Sequence, residues 1–242
     1  MGIASSLIII AFAALIHASF QLSISMLTLL TSHTIGKKRS QKRLLALTNS
    51  FTLGVAIMTI LLLCCVALLM SYGGEVFASS IFTWTIICGL LAGVGVSVLV
   101  FYYRREHGTA LWVPRGMARF LTRRTKATKQ SAEAFSLGSS SVLGELLFII
   151  APLSIAALVL VGLEPMWQLI GIALYAVISL GSLLIVTGMI GSGHSISRIQ
   201  KWRESNKQFL QFAAGSGLLV LGFYIYVEHV MLTNALAAAG GL

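Results

Sequence analysis

The chain has 242 residues, of which 57% are hydrophobic and 10% charged, and its mean hydropathy is +0.92. A soluble globular domain carries about 25% charged residues, so this composition excludes an ordinary water-soluble enzyme and a disordered chain and points to a polytopic membrane protein. The net charge of +10 would suit nucleic acid only if basic and aromatic residues shared a groove, and the sequence offers none.

A helix crossing a hydrocarbon core of about 30 Å needs about 20 mostly apolar residues. Six stretches qualify in chain order: roughly Ile3–Thr31, Leu47–Tyr72, Ile81–Tyr103, Phe135–Val161, Met166–Ile190 and Phe209–Leu232. The first is long enough to tilt or to extend beyond the bilayer. All seventeen Lys and Arg fall in the loops after the first, third and fifth spans, at 37–43, 104–129 and 198–207. The other two loops carry only Glu75 and Glu164. The positive-inside rule then puts the basic loops in the cytoplasm and both termini outside. Between the third and fourth spans, Leu111 to Lys126 sets Val113, Met117, Phe120 and Leu121 at helical spacing among arginines. This reads as an interfacial amphipathic helix touching anionic lipid.

An internal repeat is visible without any other sequence. Ala92–His107 (AGVGVSVLVFYYRREH) and Ala214–His229 (AGSGLLVLGFYIYVEH) match at nine of sixteen positions with an offset of 122. The shared Gly-x-Gly and terminal Glu-His are the informative matches, because Val and Leu recur cheaply in apolar helices. Weaker matches pair the first span with the fourth (Ala11-Phe12 with Ala134-Phe135) and the second with the fifth (Thr52-Leu53-Gly54 with Ser179-Leu180-Gly181). Three spans repeated must enter the membrane from the opposite side. The expected fold is therefore all-α, six transmembrane helices in a 3+3 inverted repeat, an arrangement typical of transporters. Residues 1–107 form the first repeat, 108–134 the basic linker and 135–242 the second repeat. Gly93 with Gly95, and Gly215 with Gly217, are expected to let helix backbones approach.

Six helices in this arrangement resemble the lysine-exporter/DsbD-type membrane superfamily. It includes a cytochrome-c-biogenesis thiol carrier (the CcdA type) and nickel, cobalt and cadmium efflux proteins. The closing helix FLQFAAGSGLLVLGFYIY resembles the final helix of that superfamily, and Phe51-Thr52-Leu53-Gly54 its second-helix Phe-x-x-Gly. Phe135-Ser136-Leu137-Gly138 resembles the segment before its functional kink. The chain lacks the Cys-Pro pairs of the thiol carriers, and it has no Asp for the nickel-exporter signatures. The resemblance implies a fold and transfers no activity.

Glu145 is the only acidic residue within a span core. Burying it in lipid costs about 2.5–3.5 kcal/mol on insertion scales, which marks it as a cation ligand or proton carrier, or alternatively as a protonated packing residue. Pro152, two turns later, would kink the same helix. His17 and Gln21 share one face of the first span, and the repeat sets Gln21 opposite Glu145. Glu145, His17 and Gln21 are thus the expected midplane substrate site, with Glu145 and His17 as metal ligands. Ser19, Ser23, Ser139, Ser140 and Ser141 could add hydroxyls, though serines also serve packing. The repeated pairs Glu106-His107 and Glu228-His229 read first as helix-end residues and would also suit gates. Cys64, Cys65 and Cys88 are read as packing residues. No Walker loop, dinucleotide fingerprint, His-Glu-x-x-His or nucleophile elbow occurs.

The expectation is a non-enzymatic, cofactor-free secondary transporter exporting a divalent cation or small polar solute against protons. Its setting would be a bacterial inner membrane, with no nucleic-acid partner, as a homo-oligomer or beside a membrane partner. Two alternatives stay open: a membrane thiol or electron carrier, and a non-transporting assembly or structural subunit.

Overall fold

The computed structural model describes residues 2–20, 22–35, 41–73, 80–102, 115–192 and 205–232. Every regular element among them is a helix. In chain order these are α1 (Ile3–Ser19), α2 (Leu22–Ile35), α3 (Gln41–Tyr72), α4 (Ile81–Ser97), α5 (Arg115–Ala127), α6 (Ser131–Val161), α7 (Pro165–Gly191) and α8 (Lys207–Ile225). A π-helical turn extends α4 over Val98–Tyr102, and another extends α8 over Tyr226–Met231. Five helices are long and apolar enough to cross a membrane, at the five places expected from composition. The stretch expected as the first span forms two helices, α1 and α2, bent by 45° at a break, so the described helices give five spans or six.

Their boundaries follow local chemistry. Ser80 caps α4 by accepting from the Phe82 amide at 3.2 Å, and Gln130 with Glu133 forms a capping box at the start of α6. Pro165 opens α7, where its missing N–H costs nothing. The bend in the first span has no Pro or Gly at hand. The α1 helix closes with the Phe20 amide bonded back to the His17 carbonyl at 3.0 Å, and the first amides of α2 then need partners from elsewhere.

The α6 helix is the centre of the bundle: 72% of its most apolar stretch is buried, against 22% of that of α3. Around it, α3 lies along α6, α1 against both α6 and α7, and α4 against α8. The outward faces carry Leu61, Leu68, Leu69, Leu147, Leu169, Val177, Ile185 and Phe223, all exposed. Such a belt exceeds what water tolerates on a monomer and suits lipid. The chain is a multi-pass, all-helical membrane protein.

Glycines set the closest crossings. A Cβ on Gly54 would strike the Phe135 carbonyl, with Phe135 C at 3.0 Å, and one on Gly138 would strike the Phe51 carbonyl, with Phe51 C at 3.1 Å. The two Phe-x-Leu-Gly segments therefore cross each other, each glycine aiming a Cα–H at the other helix's carbonyl. Ser139 Oγ adds a bond to the Gly54 carbonyl at 3.2 Å. The Gly-x-Gly expectation holds in part. A Cβ on Gly95 would lie 3.1 Å from the Gly215 carbonyl across α4 and α8, but one on Gly217 would meet Ile16 of α1 instead, and one on Gly93 would face open space.

The linker helix α5 is docked on the bundle. Leu121 and Thr125 are buried, and Thr125 Oγ1 lies 3.6 Å from Met26 Sδ of α2. Phe120, expected on the same apolar face as Leu121, points outward, with the Arg124 guanidinium 5.6 Å from its ring centre. Val113 and the side chain of Met117 lie outside the described residues.

Candidate functional site

The site is built at the break between α1 and α2. Glu145 projects from α6 and is 1% exposed. Its Oε1 accepts the Ser23 amide at 2.6 Å and the Ser23 hydroxyl at 3.0 Å. Ser23 is the second residue of α2, so its amide is one that the helix cannot satisfy itself. A carboxylate from a different helix thus does the work of an N-cap, at the positive end of the α2 dipole. Charge-assisted bonds of this kind are short and strong. They account for an acidic side chain in an apolar bundle, and they fix where the first span breaks.

On the α1 side of the same break, His17 is 2% exposed and its Nδ1 lies 2.9 Å from the Tyr175 hydroxyl of α7. The two rings are tilted at 5.7 Å between centroids. A bond at Nδ1 fixes the imidazole orientation and leaves Nε2 to face any other partner. Between the two clasps, Phe20 stacks on Phe148 of α6 at 5.5 Å. Pro152 lies one turn beyond Phe148 and has no N–H to offer the Phe148 carbonyl. The two polar clasps therefore reach different helices: His17 ties α1 to α7, and Glu145 ties α6 to α2.

The structure thus places two of the three expected site residues, His17 and Glu145, on either side of one break, each with its own partner. Gln21 lies outside the described residues. Of the five candidate serines, Ser23 reaches Glu145, while Ser19, Ser140 and Ser141 bond carbonyls of their own helices. Among the described residues no three His, Cys, Asp or Glu side chains converge as a metal site. Glu106 and His107 fall outside the described residues. Cys64 and Cys65 are exposed on α3, Cys88 is buried on α4, and all three are free thiols.

Tyr175 is the candidate-site residue that sequence reasoning missed. Its signal was available: a lone tyrosine mid-span, where this residue type is expected at the membrane interfaces instead. Compared with protein-family profiles, with curated proteins and with solved structures, the chain matches none.

Proposed function

We propose that this protein is a small secondary transporter: a 3+3 inverted repeat with both termini outside a bacterial inner membrane. It exports a divalent metal cation or small polar solute in exchange for protons. The observation that carries this reading is the bond between Glu145 and the first turn of a broken membrane helix. Transporter sites are commonly formed where discontinuous helices present half-helix ends near the bilayer midplane.

Exchange follows from competition for one carboxylate. Ionised Glu145 holds Ser23. A proton on Glu145 removes the charge those donors stabilise, and a cation on its oxygens displaces them. Either occupant loosens α2 from α6, and the two exclude each other, which is the requirement for antiport. His17, oriented by Tyr175, offers Nε2 to the solute, and Gln21, one turn on, offers an amide.

Two further observations support the repeat. Exchanging α1–α2 with α6, α3 with α7 and α4 with α8 maps the packed pairs onto packed pairs. The α3–α6 contact maps to α7–α1, α4–α6 to α8–α1, and α2–α3 to α6–α7. Ser23 and Glu145 are separated by 122 residues, within one or two positions of the offsets that match the first span to the fourth, so nearly equivalent positions meet, as they do close to a pseudo-two-fold axis. Because α3 packs on α6 and α1 on α7, the two repeats interleave, and alternating access is movement between mixed groups of helices rather than between residues 1–107 and 135–242.

The test is flux into proteoliposomes with a panel of divalent metals and an internal dye, under an imposed pH gradient, for wild type and Glu145→Gln. Flux of one ion, dependent on the gradient and abolished by the substitution, is expected. Flux unaffected by Glu145→Gln removes the site, and no flux of any metal moves the assay to organic solutes. Silence there too, with a stoichiometric membrane partner co-purifying, would favour the subunit alternative.

A further inference from the structure

At the far end of α8, away from Glu145, two metal-ligating side chains stand beside each other with ligand atoms unused. The His229 ring lies flat on the Trp84 indole of α4, with centroids 3.7 Å apart and planes within 3°. Stacking occupies the faces of the imidazole and leaves its nitrogens, which lie in the ring plane, for other partners. His229 Nε2 is buried and has no hydrogen-bond partner among the described residues. Next to it, Glu228 interacts with Tyr224 one turn earlier, and its Oε2 is buried with no hydrogen-bond partner among the described residues. The Glu228 carboxylate is close enough to act electrostatically on the imidazole. Both residues lie in the π-helical turn Tyr226–Met231, and single π turns inserted in α-helices are frequent at functional sites.

Two buried polar atoms without a partner among the described residues, one carboxylate oxygen and one imidazole nitrogen, are accounted for by an occupant. The charge pattern selects its sign. Successive spans alternate in direction, so the ends of α3, α6 and α8 share one side of the membrane. That side carries Glu75, Glu164 and Glu228, while every Lys and Arg lies in the three segments at the other side. Glu228 has no Lys or Arg after Lys207 in the chain to neutralise it, so the charged side chains that the sequence assigns to this side are all acidic. Mixed oxygen and nitrogen donors favour a first-row divalent ion over calcium or magnesium, which prefer oxygen alone.

We propose that Glu228 and His229, backed by Trp84, form a binding site for a first-row divalent transition-metal cation at the acidic mouth of the α4–α8 pair, the remaining ligands being water. The site is a binding claim and stands or falls whether or not flux is observed. Trp84 is its reporter, because a paramagnetic ion on the stacked imidazole quenches the indole. The experiment uses the full chain in nanodiscs with Trp112, Trp167 and Trp202 replaced by phenylalanine, titrated with Ni2+ alone and paired with equilibrium dialysis for stoichiometry. Saturable quenching with one bound ion is expected, weakened by about tenfold or more in His229→Ala and in Glu228→Gln. Gel filtration checks that each variant is folded. If His229→Ala does not fold, the isosteric Glu228→Gln decides. No saturable quenching, or quenching unchanged in the folded variants, overturns the proposal and leaves water as the occupant.

Discussion

At Glu145 the expense of placing a carboxylate in an apolar bundle is offset by two donors from one residue, Ser23. Removing the acceptor strands a buried amide, so Glu145→Ala is expected to lower stability by about 1–3 kcal/mol. Ser23→Ala keeps the amide bond and loses only the hydroxyl, for about 1 kcal/mol. Denaturant unfolding in mixed micelles ranks the two, and a larger loss for Ser23→Ala would contradict the capping role. Tyr175→Phe tests the other clasp. It leaves His17 Nδ1 without its 2.9 Å partner and should cost about 1–3 kcal/mol in the same assay. Glu145 and His17 were legible as residues out of place in lipid. The choice of Ser23 over Ser19 and Ser139–Ser141 was not, because it depends on where the first span bends.

At the scale of the helix, the informative contrast lies between glycines that touch and glycines that do not. A Cβ on Gly54 or Gly138 would strike a carbonyl of the opposing helix, whereas one on Gly89, Gly93 or Gly181 would meet nothing from another element within 4 Å. Backbone cannot yield as a side chain tip can. Gly54→Ala and Gly138→Ala should therefore each destabilise by about 1–3 kcal/mol or more through overpacking. Gly93→Ala should be neutral or gain up to about 1 kcal/mol, since alanine favours the helix. Thermal unfolding of the three variants distinguishes the cases, and equal effects would show that the α3–α6 crossing is looser than its geometry. The two Phe-x-Leu-Gly segments were visible as separate motifs in the sequence. Their packing against each other was not, because nothing local couples residues 84 positions apart.

For the whole molecule, the strongest sequence signal is the segregation of charge, and it predicts an orientation. In a chain whose three cysteines are replaced by alanine, Glu164→Cys should react with a membrane-impermeant maleimide on intact cells. Lys129→Cys should react only after lysis. The reverse pattern would invert the topology and exchange the sides assigned to the acidic and basic ends. Thr125 of α5 already touches Met26 of α2, and Arg43 Nη2 bonds the Lys129 carbonyl at 3.0 Å, so the basic linker is tied to the same end of the bundle as the start of α3.

The places of the long apolar helices and the segregation of charge were determined by the chain alone. Hydropathy over about 20 residues is a local sum, and a bilayer leaves a backbone almost no alternative to a helix. Only the tertiary structure decided that the first span is broken at Phe20, that Tyr175 holds His17, that α3 crosses α6 at Gly54 and Gly138, and that His229 lies on Trp84. Each of these joins residues far apart in sequence. In an apolar chain many helix faces are interchangeable by composition, so the partners are selected by shape and by the few polar atoms that must find one another.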